Sequence, residues 1–361
     1  MIRSEPLVSI IIPVFNRFEL VQETIDSVRR QSYSNWELLL VDDGSTDGTY
    51  GLLEKIAIED TRIKLFKRNV EFKGASTCRN LGIDLSKGEF IIFLDSDDLL
   101  FDSCLEERVH FFLLYSHLDF MIYQGLVFVK TPGDSDIVWN IDKNKDDILR
   151  FLDMDAPWQT TAPIWKKSAL LKIGYWDDKT SAWEDMDFHV RALVFGLKYK
   201  KINAFPDYYY RLSNQDKLSR NDKSLKQLYA RITLGEKLHE YLVENNMNID
   251  PYKNRLYHYY MWIILYFIKL KNYEGVTSAI KSLWNKKIIN FHQYILLTIS
   301  MKINYHFIIV NFKKEIWKWV KEVWCNTMYK YYFSQIPPID SSVKRLSTEY
   351  FEKKRKVLKE I

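Results

Sequence analysis

The stretch Phe90-Ile91-Ile92-Phe93-Leu94-Asp95-Ser96-Asp97-Asp98 constrains this chain most: five consecutive apolar residues end in three carboxylates within four positions. An apolar run without alternation suits a strand buried on both faces. It predicts a parallel sheet, with Asp95, Asp97 and Asp98 emerging at the C-terminal edge of one strand. Open α/β sheets keep their ligands at that edge. Like charges crowded this closely repel, and they are tolerable mainly where a cation or an array of donors neutralises them.

The residues before this segment supply the rest of such a sheet. Leu7 to Val14 and Trp36 to Val41 read as buried strands, and Leu20, Thr24, Ile25 and Val28 recur at the spacing of a helix over Glu19 to Gln31. Thr49 to Ile58 predicts a second helix, Arg62 to Phe66 a short strand, and Ala75 to Leu85 a helix stopped by Gly88. Strand, helix and strand in this order imply right-handed parallel crossovers, so the loops after Val14, Val41 and Leu94 share one edge. The first of these loops, Pro13-Val14-Phe15-Asn16-Arg17, has no glycine, which argues against a Rossmann dinucleotide site. A GxxxxGK[ST] P-loop is also missing from the sequence.

Charge divides the chain. Residues 1–220 carry 28 basic against 35 acidic side chains, and residues 221–361 carry 24 against 12, so two regions with different partners are expected. With 361 residues, 47% of them hydrophobic and only 12 Gly and 9 Pro, the chain suits one large domain plus a smaller one, or two ordinary domains. Cys78, Cys104 and Cys325 are odd in number and far apart, which fits inert thiols in a reducing compartment. No charged-then-apolar leader precedes Leu7, so a cytoplasmic location is expected.

Five pieces, in order, resemble one family. They are Val8-Ser9-Ile10-Ile11-Ile12-Pro13-Val14-Phe15-Asn16, Val41-Asp42-Asp43-Gly44-Ser45-Thr46-Asp47, Gly74-Ala75-Ser76-Thr77-Cys78-Arg79-Asn80-Leu81-Gly82, Leu94-Asp95-Ser96-Asp97-Asp98 and Trp183-Glu184-Asp185-Met186-Asp187. Together they resemble the family 2 glycosyltransferases. The resemblance implies an α/β fold of the GT-A nucleotide-diphospho-sugar transferase type, a mostly parallel sheet flanked by helices. It places a catalytic domain at 1–220 and leaves 221–361 as a mostly helical, basic C-terminal region.

The resemblance also implies roles. Asp43 would accept from the uracil of a UDP-sugar, with Pro13 and Asn16 shaping the pocket and Arg79 near the base or phosphates; taken alone, Asp42-Asp43-Gly44-Ser45 reads equally as an Asx turn. Asp95-Ser96-Asp97 matches the family's DxD, with Asp97 the direct ligand of Mg²⁺ or Mn²⁺, Asp95 on the ribose or a metal-bound water, and Ser96 at the nucleotide. Asp98 is either a helix cap or a site residue. Asp185 would take the acceptor hydroxyl proton in an inverting transfer, with Glu184 its alternative or the residue that orients the acceptor; the plain alternative for Asp185 is helix capping. Trp158 and Trp183 would stack on a sugar, while Trp165 and Trp176 read as core. Arg211, in the segment Tyr208 to Arg220, would reach the diphosphate, although many relatives have a histidine in this stretch and this chain has none.

The partners expected are therefore a nucleotide-sugar donor and a saccharide or lipid-linked acceptor. Rival readings are a sugar-1-phosphate nucleotidyltransferase, whose Gly-rich basic first loop is missing here, and a non-catalytic saccharide- or membrane-binding scaffold. In the C-terminal third, Tyr259 to Ile268 is too short to span a bilayer. Lys313 to Tyr332 interleaves Lys with Trp and Tyr, as a helix on an anionic membrane surface would, or as a helix packed on the catalytic domain with a basic outer face. No nucleic-acid reader motif is present, and Lys353-Lys354-Arg355-Lys356 reads as a solvated tail.

Overall fold

Val8–Val14 (β1), Trp36–Asp42 (β2), Ile63–Lys67 (β3) and Phe90–Phe93 (β4) lie parallel in the order β4-β1-β2-β3, because each is followed or preceded by a crossover helix. The helices are Val21–Arg29 (α1), Thr49–Glu59 (α2) and Ala75–Leu85 (α3). The computed structural model describes residues 5–69, 71–139, 141–203, 206–212 and 224–309, with 301–309 by backbone alone, and the strand Lys344–Arg345. Beyond β4 the sheet continues through Pro163–Lys166 (β9), Phe120–Tyr123 (β6) and Tyr199–Ile202 (β10), to seven strands. β9 is antiparallel to both its neighbours, so the sheet is mostly parallel.

Burial on both faces explains the apolar runs: Ile10, Ile11, Ile12, Leu38, Leu39, Leu40, Ile91, Ile92 and Phe93 are all inaccessible to solvent. Glu37 is the exception within β2. It accepts from Ser9 Oγ at 2.7 Å and pairs with Lys64 at 2.6 Å. Burial alone would raise its pKa, but these partners and the Lys87 N–H hold it below the usual range. Gly82 permits α3 to lie close on β1, since a Cβ there would sit 2.3 Å from Ile11 Cγ2.

A second sheet grows directly from the carboxylate segment. Leu99–Leu100 (β5) pairs antiparallel with Tyr208–Arg211 (β11), which runs parallel to Gly125–Phe128 (β7). Ile137–Trp139 (β8) and Lys344–Arg345 (β12) complete it. The polar stretch 134–147 thus contains β8, whose three residues are too few for alternation to register in the sequence. Cys104–Leu114 (α4), Asp147–Leu152 (α5), Lys167–Ile173 (α6) and Glu184–Val194 (α7) flank the sheets.

Four helices follow: Leu225–Glu244 (α8), Asp250–Lys269 (α9), Tyr273–Asn285 (α10) and Phe291–Ile309 (α11). α8 packs on α7, and α9 packs on α5, α8 and α10, so one continuous core runs from β1 to Leu297. Among the described residues no helix is long and apolar enough to cross a membrane. Cys78 and Cys104 are buried and unpaired by disulfide, whereas Cys325, the 313–332 stretch, the 353–356 tail and the 213–223 segment lie outside the described residues.

Candidate active site

The C-terminal ends of β1, β2 and β4 open on a cavity of about 330 Å³. Pro13, Val14, Phe15 and Arg17 line it from the first loop, Asp43 from the second, and Asp95, Ser96 and Asp97 from the third. Ala75 and Cys78 of α3, and Tyr210 and Arg211 of β11, close the remainder. The topology that put three loops on one edge therefore brings the expected nucleotide residues Pro13, Asp43, Asp95, Ser96 and Arg211 together with Asp97.

The three carboxylates do three different things. Asp95 Oδ1 accepts from Arg79 at 2.9 Å. Asp97 faces Arg17, 3.7 Å away, and its main-chain oxygen accepts from Arg211 Nε at 2.9 Å. Asp98, 1% exposed, turns away to accept from Thr161 Oγ at 2.9 Å, Gln159 Nε2 at 3.3 Å and the Arg211 N–H at 3.0 Å. Burial, and then the charges of Asp97 and Asp95, push its pKa well above the usual range. It is neither a helix cap nor a cavity residue; it is the strut joining the carboxylate segment to β11 and to Thr161.

The second loop divides its labour similarly. Asp42 makes the Asx turn, accepting from the Gly44 N–H at 2.9 Å and the Ser45 N–H at 3.0 Å. Asp43 faces the cavity, where it pairs with Arg68 and accepts from the Gly74 N–H at 2.9 Å. Asn16, expected to shape the pocket, does so from outside its lining. At φ 49° it accepts from the Thr46 N–H at 2.8 Å and donates its own N–H to Ser45 Oγ at 3.0 Å, tying the first two loops together.

The 74–82 segment links this cavity to α7. Arg79, expected beside base or phosphates, is 3% exposed and sits behind Asp95. Its guanidinium lies 4.5 Å from the Trp176 ring and reaches Glu184 at 3.5 Å. Asn80 exchanges hydrogen bonds with the Trp176 backbone at 2.8 and 2.9 Å, fixing that ring. Glu184 and Asp185 occupy the first turn of α7, and the Asp185 carboxylate accepts from the Met186 N–H at 2.8 Å. Desolvation and the neighbouring Glu184 charge push Asp185 up to about 6, against the opposing Met186 N–H and Arg79 charge.

Trp183 precedes this pair at φ 52°, a left-handed conformation that is costly for a bulky residue and that marks a constrained turn. Its half-buried ring packs on Tyr259 and Trp262 of α9, with Arg231 of α8 4.5 Å from its centre. Trp158 corrects a sequence expectation. It is inaccessible to solvent among Phe120, Phe151, His189 and Tyr199, so it has no face for a sugar. Trp165 and Trp176 are core as expected, both beside Phe188. His189 joins them, 1% exposed, with burial holding its pKa down to about 3, so it stays neutral.

Sequence reasoning missed Arg17, Arg68 and Tyr210. Arg17 follows the first motif immediately, but a single basic residue in a turn carries no periodic signal; Arg68 is brought to Asp43 only by the β2–β3 pairing. Among the described residues no three His, Cys, Asp or Glu side chains converge to hold a metal by themselves. The donor set does fit a hard cation that completes its shell with diphosphate oxygens, for which one or two carboxylates such as Asp97 and Asp95 suffice.

Comparison with known proteins agrees with this architecture. Residues 9–155 match the family model described as glycosyl transferase family 2. An uncharacterised glycosyltransferase of Haemophilus influenzae is 42% identical over 129 residues, which cover 36% of this chain and 50% of that protein. The Escherichia coli protein WfaP, named a UDP-Glc:alpha-D-GlcNAc-diphosphoundecaprenol beta-1,3-glucosyltransferase, is 26% identical over 242 residues, covering 66% of this chain and 90% of that one. The chain thus spans half of the Haemophilus relative's length and under a fifth of two Rickettsia glycosyltransferases, 16% and 19%. Residues 1–349 of S. aureus TarS in complex with UDP-GlcNAc superpose with a TM-score of 0.62 at 17% identity, covering 80% of this chain and 83% of that chain, which establishes the fold. The motifs, the sheet edge they meet on and these matches agree: residues 9–155 carry a glycosyl transferase family 2 domain, on an α/β fold shared with the TarS structure.

Proposed function

We propose that the chain is an inverting, metal-dependent glycosyltransferase that moves a sugar from a UDP-sugar to a hydroxyl of a saccharide or lipid-linked acceptor. One observation carries the reading. Asp185, with its carboxyl pushed up to about 6, is joined through Glu184 and Arg79 to Asp95, which lines the cavity with Asp97. A carboxylate poised near the working pH suits a general base, and a second carboxylate set beside Arg17 and Arg211 suits a diphosphate leaving group.

In the transfer, Asp185 accepts the acceptor's hydroxyl proton as the oxygen bonds to the anomeric carbon. The bond from that carbon to the diphosphate breaks, and its electron pair leaves with the nucleotide. Arg17 and Arg211 lie in the cavity lining and offset that negative charge. Asp97, with Asp95, would hold Mg²⁺ or Mn²⁺, which supplies Lewis-acid stabilisation of the departing diphosphate. UDP and a lipid-linked acceptor are favoured by the name of the WfaP relative and by the UDP-GlcNAc of the TarS complex. An acceptor of that kind sets the reaction at the cytoplasmic face of a membrane.

The test combines binding and turnover. UDP is expected to raise the melting temperature with Mn²⁺ and not with EDTA, and a saccharide-diphosphate-lipid acceptor is expected to gain one sugar only with metal. Transfer that persists in EDTA overturns metal dependence; no stabilisation by UDP under any condition overturns the donor.

Arg79 acts on this reaction by position. Arg79→Met removes the ion pair to Glu184 and the charge-assisted hydrogen bond to Asp95, the latter worth about 1.5–3 kcal/mol, so transfer should fall roughly 10–100-fold. Because the Arg79 charge pulls the Asp185 pKa down, the acid limb of the pH–rate profile should also move upward from about 6. An unchanged limb would mean that Arg79 only supports the fold.

A further inference from the structure

The start of α11 carries an apolar face that is exposed among the described residues. Phe291, Ile295, Leu296 and Ile299 are 58%, 37%, 64% and 49% exposed, while Leu297 and, in part, Tyr294 turn inward to the core. These positions fall on adjacent turns of one helix surface. Trp284 of α10, itself 37% exposed, extends the face, with its ring 5.8 Å from Phe291 and 5.3 Å from Tyr294.

Along the chain the charges beside this face are basic. Between Glu274 and Glu315 the chain has no acidic residue, and Lys281, one turn before Trp284, and Lys287, just after α10, are exposed. Lys286 is paired with Glu240 of α8, an ion pair that carries no net charge. Exposed Trp and Phe with a basic rim match the headgroup boundary of an anionic bilayer, where aromatic rings take the interface and lysines meet lipid phosphates. α11 is not long and apolar enough to cross, so it would lie in the plane of that surface.

We propose that this face, formed by Trp284, Phe291, Ile295, Leu296, Lys281 and Lys287, docks the protein on an anionic lipid bilayer. It is separate from the transfer site and is measured without donor or acceptor, so this proposal and the transferase reading fail independently.

The full chain is mixed with vesicles of phosphatidylcholine alone, or with about a third phosphatidylglycerol, and sedimented. The protein should pellet with the anionic vesicles and be released as salt approaches about 1 M. Phe291→Ser with Leu296→Ser should lower vesicle partitioning at least about ten-fold, and Lys281→Glu with Lys287→Glu should abolish the preference for anionic lipid. All these side chains are exposed, so melting temperature and UDP binding should stay at wild-type values. Three results overturn the proposal: no vesicle binding by the unaltered chain, undiminished binding by both double variants, or a dimer that the Phe291/Leu296 variant dissociates while vesicle binding is unchanged.

Discussion

Asp185→Asn should lower transfer by about 10²- to 10⁴-fold, the usual contribution of a positioned general base, while UDP affinity stays within about two-fold. The substitution keeps shape, and the Asn amide oxygen can still accept from the Met186 N–H in the first turn of α7, so folding is preserved. The sign of the pH effect follows from the raised pKa. Below about 6 the Asp185 carboxyl is protonated and accepts nothing, so kcat/KM of the unaltered enzyme should fall about ten-fold per pH unit there, and the Asn variant should show no such limb. Glu184→Gln separates the two neighbours. It removes a negative charge that raises the Asp185 pKa, so the limb should move down, with a smaller loss of rate than Asp185→Asn. If Glu184→Gln is the more damaging and Asp185→Asn leaves the limb intact, the roles are reversed.

How far the sequence reveals this arrangement depends on the range of the interaction. The parallel sheet is legible because β1, β2 and β4 are apolar on both faces, and the loops they end in share an edge by topology alone. The Asp185 pair is legible because helical spacing begins right after it. The three-way division of Asp95, Asp97 and Asp98 is not legible, since it depends on Arg79, Arg17 and Thr161, partners 16, 80 and 63 positions away along the chain. Trp158 fails for a related reason. Its neighbours Phe151, His189 and Tyr199 enclose it only after the sheet has closed, and nothing in Pro157-Trp158-Gln159 distinguishes a buried indole from a sugar platform. β5 and β8 are too short to carry a period, yet β5 is what seats β11, and with it Arg211, against Asp98.

One buried ion pair adds to the strand pairing that seats β11, and its loss should be the largest stability change in the catalytic layer. Arg108 of α4 is inaccessible to solvent and donates Nε to Asp207 at 2.6 Å and Nη2 at 2.9 Å, with Nη1 on the Thr161 carbonyl at 3.2 Å. Asp207 stands at the entry to β11, and its main-chain oxygen receives the Phe101 N–H at 2.9 Å. Asp207→Ala leaves a guanidinium buried without its counter-charge and should cost about 3–5 kcal/mol in urea unfolding. The donor site should weaken with it, because Thr161 and Arg211 both hold Asp98 and Arg211 also holds the Asp97 backbone. Arg108→Met combined with Asp207→Leu removes both charges and should be less destabilised than Asp207→Ala alone, since two apolar side chains leave no stranded charge. Equal losses in the single and double variants would mean that packing volume, and not the orphaned charge, sets the cost.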